Sequence, residues 1–159
     1  MSSSNNVQNT HISQQLHKLH RAILEIVAVI NRPQGDEVLI KEAGINLERA
    51  LFPLLVGIER FGPIGVVELA ERVGRDYTTV SRQVAKLENS ELVERRPSEA
   101  DRRVKEAVIT PKGKTMTDHV DAARERMAKE IFASWQEEDV EQLVRLMSKY
   151  ATALKSKIA

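Results

Sequence analysis

The chain has 159 residues and no cysteine. That absence excludes disulfides, thiol nucleophiles, thiol redox sensing and cysteine-based zinc sites together. No apolar run approaches the roughly 20 residues that a membrane-spanning helix needs, and the polar start from Met1 to Thr10 lacks the apolar centre of a secretory signal. A cytoplasmic protein is the expectation. Charge of one sign is missing too, since 24 Lys and Arg stand against 23 Asp and Glu for a net +1, so the chain is no general polycation. Enzyme signatures are absent: there is no Gly-x-Ser-x-Gly, no His-Glu-x-x-His, no phosphate loop and no suggestive spacing of a histidine, an acid and a nucleophile. Neither catalysis nor a cofactor is expected.

The charge that is present is unevenly spread. Between Arg72 and Lys105 there are nine Lys and Arg against six Asp and Glu, which leaves +3 there and −2 for the remainder. The same region holds the clearest local signals. Val66, Val67, Leu69, Ala70 and Val73 make an apolar stripe, and Gly74 follows where a helix end favours positive φ. Asp76 is placed to accept backbone N–H bonds at the start of a second helix, whose Val80, Val84 and Leu87 recur at i, i+4 and i+7. This is the pattern of two short helices about a tight turn.

The other side of that second helix carries Thr78, Thr79, Ser81, Arg82, Gln83 and Lys86. Short hydroxyls, a forked guanidinium, an amide and an ammonium are the groups that bond base edges and phosphates when a helix lies in a major groove. Thr78, Thr79, Arg82 and Gln83 are assigned to bases, and Arg75, Ser81 and Lys86 to the phosphate backbone. A hairpin follows, with Leu92 to Arg96 and Val104 to Ile109 as strands and Pro97-Ser98-Glu99-Ala100-Asp101 at a tip that presents Arg102 and Arg103. Thr110 then caps a further helix with Pro111 at its first position.

The run from Val80 to Gly113, VSRQVAKLENSELVERRPSEADRRVKEAVITPKG, together with the spacing of Ala70, Gly74 and Val80, resembles the recognition helix, wing and following helix of MarR-family regulators. The resemblance covers the whole chain in layout and carries specific motifs between Val66 and Gly113. It implies a DNA-binding wing with an Asp-x-Arg element, here Asp101 and Arg103, in which the arginine enters the minor groove and the aspartate orients the wing. It also implies a small, often aromatic and anionic effector held between a helical scaffold and the DNA-binding module, with Arg21, Arg49 and Arg60 as cations able to meet an acid. The family often has glycine where Glu91 stands, and Asn89 is the expected left-handed residue instead.

On either side lie long amphipathic segments. Ile12, Leu16, Leu19, Ile23, Ile26 and Ile30 step by 4, 3, 4, 3 and 4, the seam of a helix packed along another helix. Pro33 and Gly35 end it, and a short helix from Asp36 to Ala43 is stopped by Gly44. Asn46 opens a central helix to about Arg60, with Pro53 requiring a kink or a later start. Met116, Val120, Ala123, Met127 and Ile131 form another stripe, and after a break at Trp135-Gln136-Glu137-Glu138 the residues Val140, Leu143, Met147, Tyr150 and Leu154 form a last one. Both Met-bearing stripes read as helical packing rather than a cofactor box. His11, His17, His20 and His119 read as solvated or interface residues; His17 and His20 share an i, i+3 spacing, yet no acid or cysteine joins them as metal ligands.

The expected fold is mainly α with a small β-hairpin. Residues 1–10 are a mobile start, 11–35 an N-terminal dimerisation helix, 36–110 a winged helix-turn-helix lobe, and 111–159 the C-terminal dimerisation helices. The expected function is a homodimeric repressor on a pseudo-palindromic duplex operator. The alternative is a helical module whose winged helix binds protein, and it leaves the Arg102 and Arg103 tip without a role.

Overall fold

The computed structural model describes residues 2–158, with side chains from Asn9 onward. Its elements are α1 (Ser2–Ile30), α2 (Pro33–Glu42), a 3-10 turn (Arg49–Leu51), α3 (Phe52–Phe61), β1 (Ile64–Gly65), α4 (Val66–Val73), α5 (Tyr77–Asn89), β2 (Val93–Pro97), β3 (Lys105–Ile109), α6 (Pro111–Ile131) and α7 (Glu137–Ile158). The chain divides into two compact units, residues 1–120 and 121–159, so the division falls inside α6 rather than at residue 110. Of the stretch expected to be a mobile start, Met1 lies outside the described residues and residues 2–10 belong to α1. No helix among the described residues is long and apolar enough to cross a membrane.

In the first unit the core is built by the central helix and the helix-turn-helix. Leu54, Leu55 and Ile58 of α3 pack with Leu69 and Ala70 of α4, with Val80, Val84 and Leu87 of α5, and with Ile64, Leu92, Val93 and Ala107 from the sheet region. All of them are buried. Proline explains where α3 begins. Pro53 lies in its first turn, where the missing N–H costs nothing, and the preceding residues form the 3-10 turn instead. Pro33 likewise opens α2, which therefore starts earlier than Asp36, and the break in the chain falls at Asn31 and Arg32.

The punctuation at the helix-turn-helix works as its residues suggest. Gly74 ends α4 at φ +66°, and Asp76 caps α5 by accepting the Thr79 backbone N–H at 2.9 Å. Thr110 caps α6 by accepting from the Gly113 N–H at 3.0 Å, while its hydroxyl donates to the Glu91 carbonyl at 2.7 Å. Val67 departs from the expected stripe and is 62% exposed. At 100° per residue it lies well off the line of Leu69, Ala70 and Val73, so the buried face of α4 is narrower than the run of valines suggests.

The sheet has three strands rather than two, in the order β1-β3-β2 and antiparallel throughout. Ile64 pairs with Ala107 and Gly65 with Glu106, a strand too short to show any alternation in sequence. The wing is the β2–β3 hairpin, with Arg95 opposite Ala107 and Pro97 opposite Lys105.

Between α5 and β2 the left-handed residue is Glu91, at φ +62°, not Asn89. Helix α5 runs through Asn89, and the chain turns two residues later, with Leu92 N–H bonded to the Leu87 carbonyl at 3.0 Å. A side chain in that conformation costs about 1–2 kcal/mol. Nearby, Gly113 approaches the Leu92 carbonyl so closely that an added Cβ would lie 2.1 Å from the oxygen. These two positions respond oppositely to substitution. Glu91→Gly is expected to raise stability by about 0.5–1 kcal/mol after the entropy of glycine is charged against the relieved strain, and Gly113→Ala to lower it by about 1–3 kcal/mol; paired denaturant titrations check both signs.

Candidate nucleic-acid interface

Helix α5 presents one free side. Thr78, Arg82, Ala85 and Asn89 recur along it at helical spacing, opposite Val80, Val84 and Leu87. Thr78, Arg82 and Asn89 are exposed, and Ala85 is half-buried. Among the described residues Arg82 has neither an ion pair nor a side-chain hydrogen bond, so its guanidinium is available to a ligand.

Both flanks of this side are tied down by arginines. On one flank Arg75 Nη1 donates to the Ala50 carbonyl at 2.6 Å and to Gln83 Oε1 at 3.0 Å. On the other, Arg95 of the wing strand donates through Nη2 to the Ser81 carbonyl at 3.2 Å. Arg95 Nε is buried without a hydrogen-bond partner, with Glu88 Oε2 at 3.8 Å as its nearest ion-pair contact. A hydrogen bond from a charged donor contributes about 1.5–3 kcal/mol, whereas an exposed ion pair such as Lys86 with Glu48, at 3.3 Å, contributes about 0–1 kcal/mol. The two arginines therefore hold the helix, and the lysine pair adds little.

This sorts the ten expected site residues. Thr78, Arg82, Arg102 and Arg103 are exposed. Arg75 and Gln83 are engaged with each other, Lys86 with Glu48, and Ser81 is half-buried with its carbonyl occupied. Thr79 donates a hydrogen bond from its hydroxyl to Asp76 Oδ2 at 2.6 Å. Asp101 accepts from the Arg103 N–H at 3.1 Å, and its carbonyl accepts from the Val104 N–H at 3.0 Å. The carboxylate thus shapes the bend that turns Arg102 and Arg103 outward. The residues that composition did not single out are Tyr77, 57% exposed in the first turn of α5, and Arg95, whose reach to Ser81 no local pattern signals.

A cleft of about 500 Å³ borders the C-terminal half of α5, lined by Glu48, Lys86 and Lys112 and by Leu47, Leu92 and Met116 among others. Lys112 also donates to the Ser90 carbonyl at 2.9 Å. Arg21, Arg49 and Arg60 do not line it; they pair with Glu25, Glu37 and Glu59 respectively. Among the described residues no cluster of histidines and acids is grouped to hold a metal ion.

Two short helices at a tight turn, a paired wing and an exposed second helix with a free arginine define a winged helix-turn-helix regulator. Residues 47–105 match the MarR family. Over 125 residues the chain is 35% identical to the uncharacterized HTH-type transcriptional regulator YxaD of Bacillus subtilis, an alignment covering 79% of this chain and 87% of that protein. It is similar in structure to a MarR family protein from Bacillus stearothermophilus, with a TM-score of 0.72 at 19% identity over 90% of this chain and 97% of that one. It is also similar to the transcriptional regulator Tm0710 from Thermotoga maritima, with a TM-score of 0.58 at 27% identity over 91% and 96% of the two chains. The chain belongs to the MarR family, whose members are transcriptional regulators and not enzymes.

The cap of α5 gives a test by pH. The Thr79 hydroxyl, and after it the Thr79 backbone N–H, hold the Asp76 carboxyl below its ordinary range. A lowered folded value means that the ionised cap supports the fold above the ordinary aspartate range and that this support fades as pH falls through the lowered value. Thermal unfolding of wild type and Asp76→Ala is expected to show a higher midpoint for wild type at neutral pH and convergence of the two only in strong acid.

Proposed function

We propose that the protein is a homodimeric, sequence-specific DNA-binding repressor whose hold on a pseudo-palindromic operator is relaxed by a small aromatic or anionic effector. The observation that carries this reading is the outward side of α5, where Thr78 and Arg82 stand free while Arg75 and Arg95 fix the helix on either flank. Thr78 and Arg82 are the base-reading candidates, with Gln83 and Thr79 restricted by their internal bonds. Arg103 and Arg102 serve the minor groove beside the helix. Ser81, Lys86 and Arg75 act in positioning.

Dimerisation is supported by apolar surface that water disfavours. On α1, Ile12, Leu16, Leu19, Ile26 and Ile30 are all exposed along the near-heptad seam. On α7, Leu143, Met147 and Leu154 are exposed at spacings of four and seven. A second copy of the chain is the occupant that suits both, and a two-fold pair reads half-sites about 34–36 Å apart or at multiples of that. An effector acts by linkage: a small acid that favours one setting of α5 must weaken binding to DNA that demands another. The cleft beside Lys86 and Lys112 offers such an acid an apolar floor and, in exchange for the Glu48 carboxylate that also lines it, the Lys86 ammonium. On this reading the protein works in the cytoplasm.

Two measurements test this. Sedimentation is expected to give twice 17.9 kDa, and Leu16→Glu with Ile26→Glu to give monomers with greatly weakened DNA binding; a monomeric wild type would sink the dimer. On a duplex obtained by selection from a randomised library, Arg82→Ala and Arg103→Ala are each expected to weaken binding by about tenfold or more. Unchanged affinity at moderate salt would remove the helix or the wing, respectively, from the interface.

A further inference from the structure

Aromatic side chains are scarce in this chain: three Phe, two Tyr and one Trp. Most have an evident structural place. Phe52 is buried, Phe61 lies 4.0 Å beneath the Arg72 guanidinium, Phe132 and Trp135 pack edge to face at 5.0 Å, and Tyr150 is half-buried. Tyr77 is different. It is 57% exposed and, among the described residues, has neither a ring partner nor a hydrogen bond to its hydroxyl. Folding gains little from it there.

Its position is specific. Tyr77 is the first residue of α5, directly after the Asp76 cap, and side chains on a helix lean toward its N-terminus. The ring therefore projects past the end of the helix that leads into a major groove. It shares its flank with Ser81, one turn on, whose carbonyl is held by Arg95 of the wing. The ring thus lies at the leading end of the helix, on the side toward the wing and next to Thr78. Most of a phenol's surface is apolar, and on the major-groove edge of a base pair the apolar feature is the C5-methyl of thymine.

We infer that Tyr77 is a specificity-determining residue whose ring packs on the C5-methyl of one thymine in each half-site. This rests on the DNA-binding reading above. It assigns to Tyr77 a selectivity that phosphate contacts cannot supply, because a phenol reaching a phosphate through its hydroxyl would leave the ring in water and be indifferent to the base.

The test uses the full chain and the duplex it selects from a randomised library. Thymines of the selected half-site are replaced symmetrically, one pair at a time, by deoxyuridine, which removes only the methyl. One such pair is expected to weaken wild-type binding by about tenfold, the loss of two buried methyl groups. The same replacement should leave Tyr77→Ala within twofold of its own affinity for the thymine duplex. Tyr77→Phe, which keeps the ring, should retain the discrimination, and unchanged thermal unfolding of both variants would separate the effect from folding. A selected motif without thymine overturns the assignment. So does indifference of wild type to every uracil, an equal loss in Tyr77→Ala, or a Tyr77→Phe that behaves like Tyr77→Ala. Each of those outcomes leaves DNA recognition itself standing, whereas failure of wild type to select any motif overturns both.

Discussion

The structure of the first unit depends on fixing one helix in two directions. Val80, Val84 and Leu87 bury one side of α5 against α3 and α4, but apolar packing is tolerant of small rotations because it has no direction. Arg75 and Arg95 supply the direction. Arg75 reaches from the turn before α5 to the Ala50 carbonyl, and Arg95 reaches from β2 to the Ser81 carbonyl of α5. A carbonyl does not titrate and does not change rotamer. The exposed face of Thr78 and Arg82 is therefore held by contacts that tolerate changes of pH over the range where carboxylates and histidines switch.

Much of this region was legible in the sequence, and the reasons are physical. Gly74, Asp76 and the Thr110-Pro111 pair are local devices: each meets backbone groups within about a turn, so their meaning travels with the neighbouring residues. The buried stripe of α5 was legible for the same reason. What escaped were the contacts made through space. Arg75 meets a carbonyl 25 residues earlier and Arg95 one 14 residues earlier, and no periodicity announces either. A two-residue strand such as β1 is visible only once Ala107 lies beside it.

The partly free residues show a subtler gap between composition and site. Thr79 and Gln83 have suitable chemistry for base recognition, and a count of donors and acceptors places them with Thr78 and Arg82. Structure divides the four according to what their polar atoms already do. The turn at Glu91 makes the same point about the backbone. Asn89 has the better intrinsic preference for a left-handed conformation, yet continuation of α5 decides which residue must adopt it.

The bond between Arg75 and Gln83 has one more effect. Guanidinium has no acceptor, so the atom of Gln83 that faces it at 3.0 Å is the carboxamide oxygen, and the orientation of that amide is settled. Adenine is ordinarily matched by glutamine through both halves of its amide at once, oxygen to the exocyclic amine and nitrogen to N7. With the oxygen turned inward, the side chain shows only hydrogens. Acceptor-rich edges, such as N7 and O6 of guanine, therefore suit this amide better than an edge that requires a donor and an acceptor together.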